Sequence, residues 1–207
     1  MSIFSKLVNI RILISRKAKF RHNLILLSLN FIFVFIIGLS PDSQWIPELY
    51  SITVSGIFFA AVISISDKHI RYLYFAVILT VLTWVSTYLK LDFIVHTNSI
   101  ITIVFFVYII VVSIIRLAKG KEVGNLEFVR AINIYFLIGI AGSIIFRMLY
   151  TTDPNSINVR DENVLATTDL IYFSFDTITT LGYGDITPNS PITKNVAVFL
   201  SFAGQIY

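Results

Sequence analysis

Long uncharged apolar stretches set the terms for this chain. Five of them run at roughly Asn23–Ser40, Leu49–Ser66, Tyr72–Leu89, Asn98–Ile115 and Ala131–Phe146. A helix rises about 1.5 Å per residue, so about 20 residues cross the ~30 Å hydrocarbon layer of a bilayer. A soluble domain of 207 residues that is 56% hydrophobic and 14% charged has too little interior to hide its apolar surface, because buried volume is limited by surface-to-volume scaling. The apolar residues also fall in blocks rather than in amphipathic stripes, which predicts membrane spans.

A sixth apolar stretch, Ile192–Tyr207, closes the sequence. Before it come a polar segment, Thr151–Thr168, and a short apolar one, Asp169–Ile178. The short segment cannot span a bilayer and fits a helix that enters and leaves on one side, where irregular backbone is sheltered by protein. The predicted fold class is therefore an all-α integral membrane protein. It has five full spans, a re-entrant helix with its following loop, and a final helix of about 24 Å that reads as truncated. The segments divide as a basic N-terminal part, 1–22, a four-helix membrane domain, 23–121, and a C-terminal module, 122–207.

Charge bias orients these spans. With the N-terminus in the cytoplasm and a crossing at each span, the inner side holds Lys6, Arg11, Arg16, Lys17, Lys19, Arg21, Lys68, Arg71, Arg116, Lys119, Lys121 and Arg130. The outer side holds Lys90, Arg147, Arg160 and Lys194. The excess of basic residues inside satisfies the positive-inside rule, and it places the segment between the fifth and last spans outside the cell. The start of the chain, basic and then apolar, resembles a secretory leader. Its apolar run is long and lacks a small-residue cleavage site before Ser40-Pro41, so an uncleaved first span is expected. Ile3, Phe4, Leu7, Ile10 and Ile14 recur at helical spacing and suggest a helix on the inner leaflet.

Several function classes are excluded or disfavoured. There is no cysteine, which removes thiol catalysis and Cys-ligated metals. The net charge of +4 is accounted for by cytoplasmic flanks, so no nucleic-acid partner is expected. His22, His69 and His96 lack metal-ligand spacing. No HExxH, GxSxG or paired intramembrane carboxylates occur, so the chain does not read as an enzyme. Trp45, Tyr50, Tyr72, Tyr74 and Tyr88 lie near span ends as interface anchors. Gly56 with Ala60, and Gly139 with Gly142, are candidate close-packing positions.

The chemistry concentrates in Ser174-Phe175-Asp176-Thr177-Ile178-Thr179-Thr180-Leu181-Gly182-Tyr183-Gly184-Asp185. A pore for a bare cation has to replace its water shell with fixed oxygens. Successive backbone carbonyls do this only if they turn to one side, and the backbone must then visit left-handed conformations. Gly182 and Gly184 adopt these at little steric cost.

This stretch resembles the selectivity filter of the potassium channel family, in which four loops line one pore. The resemblance implies ion sites at the carbonyls of Thr180, Leu181, Gly182 and Tyr183, with the Thr180 hydroxyl at the inner end. Gly184 and Asp185 would form the outer mouth. Leu181 departs mildly from the family, where Val or Ile is commoner. The resemblance further implies that Asp169–Ile178 is the pore helix, with its C-terminal dipole facing the ion. Tyr172, Phe173 and Thr179 would support the filter. Asp176, behind it, is expected to interact with Asp185 through a shared proton or water. Gly204 would be a gating hinge, or else a packing glycine.

The implied function is passive K+ transport by a homotetramer in the plasma membrane, with no cofactor and with the bilayer and K+ as partners. A less selective cation channel and a truncated, non-conducting regulatory subunit are the alternatives. The stretch Asn98–Ile115 contains no charge, so the sequence predicts little voltage dependence. The outward acids Asp161 and Glu162, and Asp185 at the mouth, would raise the local cation concentration.

Overall fold

The computed structural model describes residues 3–37, 45–65, 70–89, 92–120, 124–159 and 165–207. Ser40, Pro41, Lys68, His69, Lys90, Lys121, Arg160, Asp161 and Glu162, all named above, lie outside the described residues.

Almost every described residue is helical. The helices are α1 (Ile3–Phe31), continued by a π-helical turn (Ile32–Ile37), α2 (Ile46–Ile65), α3 (Ile70–Tyr88), α4 (Asp92–Ala118) and α5 (Asn125–Thr152). After a 3-10 turn (Pro154–Ser156) come β1 (Ile157–Val159), α6 (Thr167–Ile178), β2 (Ile186–Pro188) and α7 (Pro191–Ile206). Three stretches are long and apolar enough to cross a bilayer: Arg16–Ile37, Ser99–Ala118 and Asn125–Thr152. The apolar parts of α2 and α3, Glu48–Ser64 and Tyr72–Leu82, are shorter. The boundary expected at residue 22 is not a break. One helix runs from Ile3 through it, and its apolar stretch begins at Arg16.

Two apolar clusters organise the packing. The first joins α1, α2, α3, α4 and α5 around Phe33, Ile57, Ile109, Leu137 and Ile140, none more than 1% exposed. The second joins α5, α6, α7 and the two strands around Phe146, Leu170, Phe173, Ile178 and Leu200. α5 belongs to both, so it carries the short helix on one side and the first four helices on the other.

Buried polar side chains reinforce the first junction. The Asn30 amide donates to Asn133 Oδ1 at 3.1 Å, and the Asn133 amide donates to the Asn23 carbonyl at 2.8 Å. Ser64 of α2 donates to Asn23 Oδ1 at 2.8 Å. Three of the anchors expected at the interface behave differently. Trp45 and Tyr74 are exposed, whereas Tyr50 is 4% exposed beneath the Arg147 guanidinium, 4.5 Å from its ring centroid.

Candidate functional site

α6 has 12 residues, about 18 Å of helix, too short to cross a bilayer. Its start is set by the Asp169 carboxylate, which accepts the Ala166 N–H at 2.8 Å, and by the Tyr150 hydroxyl, which accepts the Leu165 N–H at 3.1 Å. Small residues let it sit deep against α5. The Ser174 hydroxyl donates to the Gly139 carbonyl at 2.6 Å. A Cβ on Gly139 would lie 2.6 Å from the Phe175 ring, and one on Gly142 would overlap the Ser174 hydroxyl and approach Leu200. Both glycines are close-packing positions, as expected. Gly56 is not, because the nearest atom to an added Cβ is Leu29 Cδ1 at 4.0 Å.

The last carbonyls of a helix have no partner within it, and here the loop and two neighbouring helices supply them. Thr179 caps Phe175 O with its N–H at 3.1 Å and its hydroxyl at 2.6 Å. Leu181 N–H reaches Asp176 O at 3.0 Å. Thr177 O accepts the Thr180 N–H at 3.0 Å and the Ser201 hydroxyl of α7 at 3.1 Å. Ile178 O accepts the Tyr135 hydroxyl of α5 at 3.4 Å. Gly204 lies directly against this carbonyl, and an added Cβ would overlap it. The packing role considered for Gly204 is thus the one the contacts display.

Beyond this end the backbone changes hand at every second residue. Thr180, Gly182 and Gly184 have φ of 59°, 64° and 76°. In an ordinary strand successive carbonyls alternate sides. Inverting the handedness of alternate residues turns them toward one side. The two glycines accept this readily. Thr180 does not, since a β-branched residue at positive φ is strained, and that strain is held by the bonds on either side of it. Thr179 to Gly184 are exposed, with Leu181 at 61% and Tyr183 at 69%. The Tyr183 side chain is thus left largely uncovered by the described residues.

The two acids flank the loop with separate partners. Asp176 is 5% exposed, and its Oδ1 accepts the Tyr183 N–H at 3.3 Å. Asp185 accepts the Ile186 N–H at 3.0 Å and lies beside the Tyr172 hydroxyl. Of the two expected aromatic supports, only Tyr172 reaches the loop region. Phe173 packs instead on Phe146 of α5, with ring centroids 4.6 Å apart.

The loop's exit is pinned by a two-stranded ribbon that pairs Ile157 with Pro188 and Val159 with Ile186. The Ser156 carbonyl accepts the N–H groups of Asn189 and Ser190 and the Thr193 hydroxyl. Ser190 then caps α7 by accepting the Thr193 N–H at 3.2 Å.

The residues that sequence reasoning missed are Tyr135, Ser174, Ser201 and the conformation of Thr180. A lone hydroxyl in an apolar helix was the only available signal for the first three. Among the described residues no group of His, Asp and Glu is placed to hold a metal ion.

Residues 134–207 match a protein family described as ion channel. A segment of 87 residues is 32% identical to "Two-pore potassium channel 2" of Arabidopsis thaliana, covering 42% of this chain and 17% of that relative. No solved structure matches. The matched region holds α6, the loop, α7 and most of α5. This end of the chain is thus similar to ion-channel proteins, and both matches point to a channel rather than an enzyme.

Proposed function

We propose that the chain is one subunit of a potassium channel, in which four copies set their Thr180–Gly184 loops around one axis and let K+ pass down its electrochemical gradient. The observation that carries this reading is the alternation of left-handed backbone at Thr180, Gly182 and Gly184. It offers a column of carbonyl oxygens of the kind that replaces an ion's hydration shell. The name of the Arabidopsis relative supports potassium as the ion. A single loop leaves Leu181 and Tyr183 uncovered, which fits an arrangement completed by neighbouring copies. In this reading the Thr180, Leu181, Gly182 and Tyr183 carbonyls hold the ions, and Gly184 and Asp185 frame the mouth. Asp176, Thr179 and Tyr172 maintain the loop's shape.

The same reading makes α1 to α5 five membrane spans, with a cytoplasmic N-terminus, the filter facing outward and the plasma membrane as location. The excess of basic residues on the inner flanks supports that orientation. Voltage dependence is weak, because α4 carries no charge between Asp92 and Arg116.

The test is the reversal potential of the purified protein in a planar bilayer with unequal K+ and Na+ on the two sides. A value close to the K+ equilibrium potential is expected. A value near zero would mean a cation channel without K+ selectivity. Absence of current from a verified tetramer would remove conduction from the proposal and leave a regulatory subunit.

A further inference from the structure

The outer bundle encloses a cavity of about 360 Å³ between α2, α3, α4 and α5. Its lining residues lie toward one end of the bundle, the end of α5 nearest β1: Tyr50 at the start of α2, Trp84 late in α3, Thr102 early in α4 and Arg147 late in α5. Most of the wall is apolar, with Phe58 and Phe106 at its inner part. Arg147 is the one charged residue in the wall, and among the described residues no carboxylate forms an ion pair with it. The Thr102 hydroxyl is buried without a hydrogen-bond partner. Arg147 also borders a second, more open cavity of about 420 Å³ that continues past Thr151 and Pro154. The guanidinium thus stands where an apolar interior meets the end of the bundle.

Hydroxyls of Ser55, Thr80 and Thr151 also line the cavity, but each donates to a carbonyl of its own helix, which leaves few of the several partners that an ordered water needs. The cavity's size suits a small ligand, and the placement of its polar groups fixes which end of a ligand lies where. We propose that this cavity binds an anionic amphiphile, an acyl chain whose carboxylate or phosphate head is held by Arg147. The tail lies between Trp84 and Phe106, and the Thr102 hydroxyl faces it from α4. The wall also includes Ala141, which sits between Gly139 and Gly142. Those two glycines seat α6, so an occupant touches the stretch of α5 on which the helix that carries the filter loop is packed.

The chain has two tryptophans, and the variant Trp45→Phe leaves Trp84 as the only reporter. Its fluorescence in protein reconstituted into neutral nanodiscs is titrated with dibromostearate, with the methyl ester of dibromostearate, and with a dibromo-acyl phosphatidylglycerol. Saturable quenching by the free acid identifies a carboxylate amphiphile. Saturable quenching by the phosphatidylglycerol identifies a membrane lipid. In either case Arg147→Gln is expected to weaken the midpoint about tenfold, the scale of one charge-assisted hydrogen bond. Arg147→Lys restores most of the affinity, and Ala141→Phe, which fills the cavity, abolishes saturation. Quenching that rises linearly with quencher, or that the methyl ester matches, overturns the proposal. So does saturation that survives both Arg147→Gln and Ala141→Phe. None of these readouts requires ion flux, so they stand apart from the test of K+ conduction.

Discussion

The Asp176 carboxylate accepts the main-chain N–H of Tyr183 at 3.3 Å, tying a buried position in α6 to the middle of the exposed loop. It bridges seven residues of sequence and is the one side-chain bond from α6 to the left-handed stretch among the described residues. Asn at 176 keeps an acceptor oxygen, whereas Ala leaves the Tyr183 N–H without a partner. Where neighbouring copies bury the loop, as the proposed tetramer would, an unmet donor there costs about 1–3 kcal/mol. Steady-state K+ current is therefore expected to fall modestly in Asp176→Asn and severely in Asp176→Ala. Equal currents in all three proteins, measured at matched expression, would show that the bond does not hold the loop.

The glycines at 182 and 184 test backbone conformation separately from crowding. Neither has an atom within 4 Å of where a Cβ would sit, so alanine there meets no neighbour in its own chain. Its cost is the left-handed backbone itself, about 1–2 kcal/mol for an L residue. Gly182→Ala and Gly184→Ala should each lose K+ selectivity in reversal-potential measurements while the protein still folds and assembles. Retained selectivity in both would detach function from the handedness of the loop.

The helices and the left-handed loop were legible in the sequence for different physical reasons. Blocks of uncharged residues near bilayer length are unambiguous, so α2 to α5 and α7 begin and end within several residues of their apolar stretches. The loop declared itself because two glycines separated by one residue permit a backbone that other residues resist. Thr180 carries no such sign. Its positive φ is imposed by Thr177, Leu181 and the bonds around them, and only tertiary contacts can hold a β-branched residue there. The tethers from Tyr135 and Ser201 to the end of α6 were equally hidden, since one hydroxyl in a long apolar helix has many places to point. Phe173 illustrates the reverse error. Adjacency to Tyr172 in sequence suggested a shared role at the loop, but consecutive helix residues point about 100° apart, and Phe173 faces α5. The two-stranded ribbon, with only three residues per strand, was too short to leave a periodic pattern.

Gly204 and Gly56 form a matched pair of helical glycines. An added methyl at 204 overlaps the Ile178 carbonyl, which is backbone and cannot rotate away. At 56 the nearest atom is 4.0 Å distant. Gly204→Ala should therefore destabilise the contact between α7 and α6 by about 1–3 kcal/mol. It should lower the midpoint of thermal unfolding in detergent and reduce current. Gly56→Ala should leave both unchanged or raise the midpoint slightly, as removal of a helical glycine does. A wild-type midpoint for Gly204→Ala would mean that α7 has slack against α6 and would reopen the hinge role for this residue.

The Asn23–Asn30–Asn133 network makes a sharper prediction about how the halves of a subunit are joined. Asn30 is completely buried and Asn133 is 2% exposed, and the Asn30 amide donates to Asn133 Oδ1 across 103 residues of sequence. Truncation at Asn133 strands the Asn30 amide and the second contact to the Asn23 carbonyl. Asn133→Ala should cost about 1–3 kcal/mol, more than Asn133→Gln. The partner that α5 engages is α1 of its own chain, which in an assembly of four would keep each outer bundle on its own subunit. The absence of cysteine from the sequence makes this directly measurable. In the double variant Asn30→Cys, Asn133→Cys the thiols would replace amides that bond across this junction. A short membrane-permeant bis-methanethiosulfonate should therefore join them, each thiol displacing a sulfinate to form a disulfide to the spacer. Denaturing gels are expected to show cross-linked single chains, compacted and running ahead of the untreated protein. A ladder of dimers, trimers and tetramers would instead mean that α1 of one subunit packs on α5 of the next, and the intrachain junction would be wrong.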